Sequence, residues 1–175
     1  MDNRSEPRLL FDRAEIAAAV EKLCGEIAFQ YRDRCPLLIG ILKGSFVFMA
    51  DLVRSLNFPL EVEFIRVSSY GGGRESSGRV KVVKGLVSAV RGRDVLVVED
   101  IVDTGITLSF LLDYLYKRKP ASLKLCSLID KPSRRKAAVD IDFLGFTVPD
   151  RFIVGYGIDF NEKFRYLPDI CYLDD

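Results

Sequence analysis

Residues 95 to 107 read VLVVEDIVDTGIT: four branched aliphatics run into Glu99 and Asp100, two further aliphatics follow, and then come Asp103, Thr104, Gly105 and Thr107. Three carboxylates within five residues repel one another, and each loses hydration if the strand draws it toward a core. Cations or hydroxyl groups must face them. A strand, a short loop and a helix in this order aim backbone N–H groups and a helix N-terminus at an anion such as phosphate. Thr104 and Thr107 would add hydroxyl donors, and Gly105 would let the backbone approach closely. Glu99 and Asp100 are then placed to accept hydrogen bonds from sugar hydroxyls, directly or through Mg²⁺. A phosphate on one side and carboxylates seeking a diol on the other describe a ribose 5-phosphate. The same residues also suit a strand end with solvated acids and an N-capping threonine, and the sequence lacks the GxxxxGK[ST] pattern of a P-loop.

The elements that must position this stretch follow from hydrophobic spacing. Ile16, Val20, Leu23 and Ile27 recur at helical intervals after a capping-box-like Asp12 and Glu15. LLIGIL after Pro36 is a short buried-strand run, and Phe46, Ala50, Val53 and Leu56 mark a second helix. LEVEFIRVSSY alternates, with Leu60, Val62 and Phe64 on one face and Glu61 and Glu63 on the other, as in a strand with one wet face. GGGRESSG at 71 to 78 is too polar to pack and reads as a mobile loop between strand-like runs. LSFLLDYLYKR is a helix stopped by Pro120, while SLKLCSLI and RFIVGYGID read as strands. Strands alternating with helices predict an α/β fold with a mainly parallel sheet, in which ligands bind beyond the carboxyl ends of the strands.

Composition narrows the chemistry. The 175 residues are 49% apolar and 29% charged, which suits one globular domain with a single core. Lys and Arg number 26 against 25 Asp and Glu, so no global field favours nucleic acid or a membrane surface. The chain has no histidine, and its four cysteines lack CxxC spacing, which removes the usual zinc ligands and the commonest general base. Any metal should be a hard cation held by oxygens. No apolar N-terminal run resembles a signal peptide and no stretch approaches the ~20 apolar residues of a membrane span. A cytoplasmic protein with reduced thiols is the expectation.

VLVVEDIVDTGIT resembles the phosphoribosyl-pyrophosphate (PRPP) motif of type I phosphoribosyltransferases. LKGS at 42 to 45, SSYGGG at 68 to 73, DKPSRRK at 130 to 136 and FIVGYGIDFNEKFRYLPDI from Phe152 resemble, in the same order, the hypoxanthine-guanine branch of that family. The resemblance implies a single type I phosphoribosyltransferase domain over residues 1–175, a mainly parallel sheet flanked by helices, with a small purine-binding hood from about residue 131 to 175. It implies Mg²⁺-dependent transfer of 5-phosphoribosyl from PRPP to hypoxanthine or guanine by a homodimer or homotetramer. Asp103 would be the catalytic acid/base at purine N7. Glu99, Asp100, Asp103, Thr104, Gly105, Ile106 and Thr107 would hold PRPP. Lys43 and Gly44, after a non-proline cis peptide, would cradle pyrophosphate together with Arg165. Lys131 would donate to the purine O6, Phe152 would stack on the base, and Ile153 and Asp159 would meet its far edge. Glu99, Asp100 and Asp159 would hold Mg²⁺, and Ser69 and Tyr70 would close as a lid, which keeps water from an oxocarbenium-like ribosyl centre. Ile106 stands where several relatives carry Lys. Because such a loop grips phosphate mainly by its backbone, that change should weaken PRPP binding only modestly.

Overall fold

The structure is a computed structural model, and it describes residues 6–69 and 80–174. Tyr70 and the GGGRESSG stretch lie outside the described residues, as does the lid proposed for them. Nine strands and three helices follow in the order β1 (Arg8–Phe11), α1 (Arg13–Tyr31), β2 (Leu37–Leu42), α2 (Phe46–Leu56), β3 (Glu61–Ser69), β4 (Val80–Lys84), β5 (Asp94–Val102), α3 (Ile106–Tyr116), β6 (Ser122–Asp130), β7 (Phe143–Thr147), β8 (Phe152–Val154) and β9 (Ile170–Leu173).

The main sheet has the strand order β4-β3-β2-β5-β6-β7. Its five strands from β3 to β7 run parallel, and β4 closes one edge antiparallel to β3. Strand residues alternate between the two faces. Leu38, Leu96, Val98, Cys126 and Leu128 join α1 and α2 in one core layer. Leu37, Ile39, Ile41, Val95, Val97 and Leu125 join Leu108, Leu111 and Leu115 of α3 in the other. Burial on both faces is why β2 and β5 read as unbroken aliphatic runs. The capping box at the head of α1 is present: Asp12 accepts from the backbone of Ala14 and Glu15, and the Glu15 side chain accepts from Asp12 N–H.

The chain runs to opposite sides from β2 and β5, toward β3 in one direction and β6 in the other. The boundary between these two central strands is therefore the topological switch point, where a crevice opens beyond the strand ends. A second sheet, β1-β9-β8, is antiparallel and joins the two ends of the chain.

Two expectations change. RFIVGYGID is not one strand: β8 ends at Val154, because Gly155, Tyr156 and Gly157 all take positive φ and turn the chain back so that Gly155 bridges Ile158. The Glu face of β3 is not uniformly wet either. Ile65 is fully buried on it, and the segment after β4 covers the acids, with Arg93 at 2.7 Å from Glu61 and Ser88 donating to Glu63 at 2.8 Å.

Candidate active site

The residues with chemistry gather where parallel strands end. Lys43 and Gly44 follow β2, Asp103 follows β5, Lys131 follows β6, and Ser69 is the last residue of β3. These are neighbouring strands, so one crevice collects side chains from segments far apart in sequence.

After β5 the backbone turns through Asp103 and Thr104 into α3, whose N-cap is Gly105 at φ 78° rather than a threonine. No side chain caps the helix and no acid stands in its first turn, so the N–H groups of that turn remain available to an anion. Thr104 offers its hydroxyl only loosely to Ile106 N–H, at 3.5 Å. Its carbonyl accepts from Lys136 and Ala137 N–H, which ties the turn after β6 to this loop. Ile106 and Thr107 form the first turn of α3.

Glu99 and Asp100 stand side by side near the end of β5, Asp100 N–H donating to Glu99 Oε1 at 3.1 Å. Among the described residues neither carboxylate has a salt-bridge partner within 4 Å. Burial, reinforced by Asp100 beside it, pushes the Glu99 carboxyl well above the usual carboxylate range. Two adjacent hard oxygen donors without a counter-charge form a donor set that suits a divalent cation such as Mg²⁺.

The loop after β2 lies against this pair. The Leu42–Lys43 peptide is cis, as the resemblance implies. A Cβ on Gly44 would fall 1.8 Å from Asp100 Oδ2, so only glycine fits there while Asp100 keeps its position. The C-terminal segment presses on the loop from the other side, since a Cβ on Gly157 would meet Gly44 O at 2.7 Å. Lys43 Nζ reaches Glu162 at 2.8 Å, and that ion pair holds the Glu162 carboxyl below its ordinary range. Arg165 contacts Asp159 at 2.6 Å and Glu162 at 3.4 Å, and donates to Gly157 O at 2.7 Å. Asp159 is thus engaged by Arg165 and by Glu162 N–H at 2.8 Å.

On the β6 side Lys131 is only 5% exposed, and its ammonium lies 3.2 Å from Asp150. Arg134 spans Asp150, at 3.4 Å, and Asp103, at 2.9 Å. Arg135 pairs with Asp130 beneath the turn. Phe152 opens β8, the edge strand of the small sheet, with a ring 45% exposed and set edge-on to Phe160 at 4.8 Å. That ring has surface free for stacking, and the outer edge of β8 has backbone groups outside the ladder. Ile153 is buried, so only its backbone can meet a ligand.

Sequence reasoning missed Glu162, Asp150 and the bridging role of Arg134. Arg134 sits in a visible charge run, but nothing in the sequence gives its partners, Asp103 and Asp150, which lie 31 and 16 residues away. A groove of 820 Å³ lies elsewhere, between α1, α2 and the loop ending at Pro168, and shares only Arg165 with the residues expected at the site.

The arrangement offers an anion-binding helix start, a carboxylate pair suited to a metal, a second cationic loop, a buried ammonium and an exposed aromatic ring. The family model of the phosphoribosyl transferase domain matches residues 10–161. A hypoxanthine-guanine phosphoribosyltransferase of Bacillus subtilis is 48% identical over 163 residues, covering 93% of this chain and 91% of that protein. A hypoxanthine phosphoribosyltransferase of Salmonella typhimurium is 47% identical over 162 residues, covering 91% of each. Among solved structures, a hypoxanthine phosphoribosyltransferase from Staphylococcus aureus superposes with a TM-score of 0.91 at 40% identity, over 95% of this chain and 91% of that one. The family model, the sequence identities and the superposition agree, and the chain belongs to the phosphoribosyl transferase domain family.

Proposed function

We propose that this chain transfers the 5-phosphoribosyl group from PRPP to hypoxanthine or guanine, forming IMP or GMP and pyrophosphate, with Mg²⁺ required. The observation that carries this reading is the buried Lys131 ammonium, just past the end of the strand that pairs with the one leading into Asp103. Three donors and no acceptor suit a 6-oxo group and oppose adenine's amino group. The relatives named above, close in sequence over nearly the whole chain, support the same reading.

The start of α3, with Thr104, Gly105, Ile106 and Thr107, binds the 5-phosphate, and Glu99 and Asp100 take the ribose hydroxyls and Mg²⁺. The ion offsets the charge of the pyrophosphate when bound. Asp159, now paired with Arg165, would hold a second Mg²⁺. Lys43, Gly44 and Arg165 receive pyrophosphate, so Lys43 and Arg165 give up Glu162 when the anion arrives. Ser69 and Tyr70 close over the reacting groups and exclude water. Asp103 accepts the N7 proton as N9 attacks C1′, a role that suits a carboxylate in a chain without histidine. Phe152 stacks on the base while the backbone of Ile153 meets its far edge. The hood is assigned to residues from about 131 to 175 of a single domain. A homodimer or homotetramer acting in the cytoplasm completes the reading; no helix among the described residues is long and apolar enough to cross a membrane, and all four thiols are free.

The test is IMP formation from hypoxanthine and PRPP, followed spectrophotometrically with and without a chelator. Nucleotide should form only when Mg²⁺ is free, and Asp159→Ala should raise the Mg²⁺ requirement. Full turnover in excess chelator, or none with Mg²⁺ present, would refute the reading.

A further inference from the structure

Lys131 leaves β6 with its ammonium almost wholly buried, and burying a charge is costly unless it is paired. The partner comes from another segment: Asp150, between β7 and β8, approaches Nζ to 3.2 Å. Asp150 lies two residues before Phe152, so the loop that supplies the carboxylate also presents the exposed ring. Lys131 holds the Asp150 carboxyl below the usual carboxylate range, and Arg134 adds to the effect, so Asp150 is ionised at neutral pH. Arg134, in turn, brings its Nε to 2.9 Å from Asp103 Oδ1, an oxygen that is buried and has no well-aligned hydrogen bond. A line of alternating charge, Lys131, Asp150, Arg134 and Asp103, therefore joins the ammonium to the carboxylate on the neighbouring strand end. Among the described residues the side chain of Asp150 meets only these two cations, and it is 55% exposed. It braces no backbone.

We propose that Asp150 is a positioning residue for base recognition: it holds the Lys131 ammonium aimed at the 6-oxo edge of the purine, and Arg134 holds it in line with Asp103. This rests on the reading that Lys131 donates to O6. An ammonium that lost its carboxylate would be free to turn toward other acceptors, which weakens the bond to the base. The loss falls on binding the base in ground and transition states alike, so KM should change more than kcat.

The experiment is a double-mutant cycle of Asp150→Asn and Lys131→Gln, with Asp150→Glu as the conservative variant, measured as steady-state rates against hypoxanthine, guanine, adenine and PRPP. Asp150→Asn should raise KM for hypoxanthine and guanine about 10- to 100-fold, the range of a charged hydrogen bond, with kcat within about threefold and KM for PRPP within about twofold. Asp150→Glu should recover most of the affinity. In the Lys131→Gln background, Asp150→Asn should add less than about threefold, because its target is gone. If Asp150→Asn raises KM as much in that background, or leaves KM unchanged in the wild type while Lys131→Gln still narrows the preference over adenine, Asp150 does not act through Lys131. If kcat and the affinity for PRPP fall together in both Asp150 variants, Asp150 serves the fold instead. Lys131→Gln that discriminates as sharply as the wild type would refute the O6 reading itself, whatever Asp150 does.

Discussion

In the proposed reaction Asp103 is the residue on which the chemistry turns, and its surroundings suit a carboxylate to the task. It stands at a strand end with Arg134 at 2.9 Å, and its ring-nitrogen partner must come from the base itself. Asp103→Asn keeps the loop's shape and removes the proton acceptor. Turnover should fall about 10²- to 10⁴-fold with PRPP affinity little changed, as single-turnover rates and PRPP binding would show. Survival of turnover within a fewfold would reassign the acid/base role. The sequence points to Asp103, Lys131 and the Glu99–Asp100 pair because each follows or ends a legible aliphatic strand. It does not point to Asp150 or Glu162, whose roles come from charges that meet across loops, at separations no periodicity records.

At the scale of elements, the site depends on two loops that touch through glycine. Gly157, at φ 93°, faces Gly44 O, and Gly44 faces the Asp100 carboxylate. The two substitutions should therefore differ in kind. Gly157→Ala places Cβ against backbone in a left-handed conformation, at a cost of about 1 to 3 kcal/mol. For a chain of this size that lowers Tm by about 2 to 10 °C. Gly44→Ala meets a side-chain carboxylate that can swing away, so Tm should fall less while KM for PRPP rises about tenfold or more, the displaced group being Asp100. Calorimetry and PRPP titration separate the two outcomes; equal losses of Tm with unchanged PRPP affinity would contradict the contact between these loops. The main strands and helices were legible because β2, β5 and β6 are buried on both faces and α1 carries its own cap. The short strands β1 and β9 were not: RLLF and ICYL are four residues each, and they become strands by pairing with each other across some 160 residues of sequence. The glycines that end β8 were visible, but the apolar run around them outweighed the turn they make.

For the molecule as a whole, the two sheets divide the labour: the large one supplies the strand ends at which PRPP is proposed to bind, and the small one, completed by β1, carries Phe152 and Ile153. Core burial also sets how the protein meets alkali. Burial pushes the Cys24 thiol from 9.0 up to about 11, and the Cys126 thiol is raised further for the same reason. Above about pH 9 the unfolded chain releases protons that the folded one retains, so stability is whole below that value and falls as pH rises toward 11. Urea melts at about pH 8 and about pH 10.5 should show the loss, and Cys24→Ala should reduce the difference between the two. An unchanged difference would mean that Cys24 takes no part in it. The central claim, though, is the reaction, and initial rates with hypoxanthine, guanine, xanthine and adenine at one fixed concentration of Mg²⁺ and PRPP test it most directly. Hypoxanthine and guanine should turn over with one pyrophosphate released per nucleotide. Xanthine should be slower, and adenine about 10³-fold or more below hypoxanthine, because it sets an amino donor, where the 6-oxopurines have an acceptor, against the Lys131 ammonium. Adenine turning over as fast as hypoxanthine, or no base turning over at all, would contradict the account.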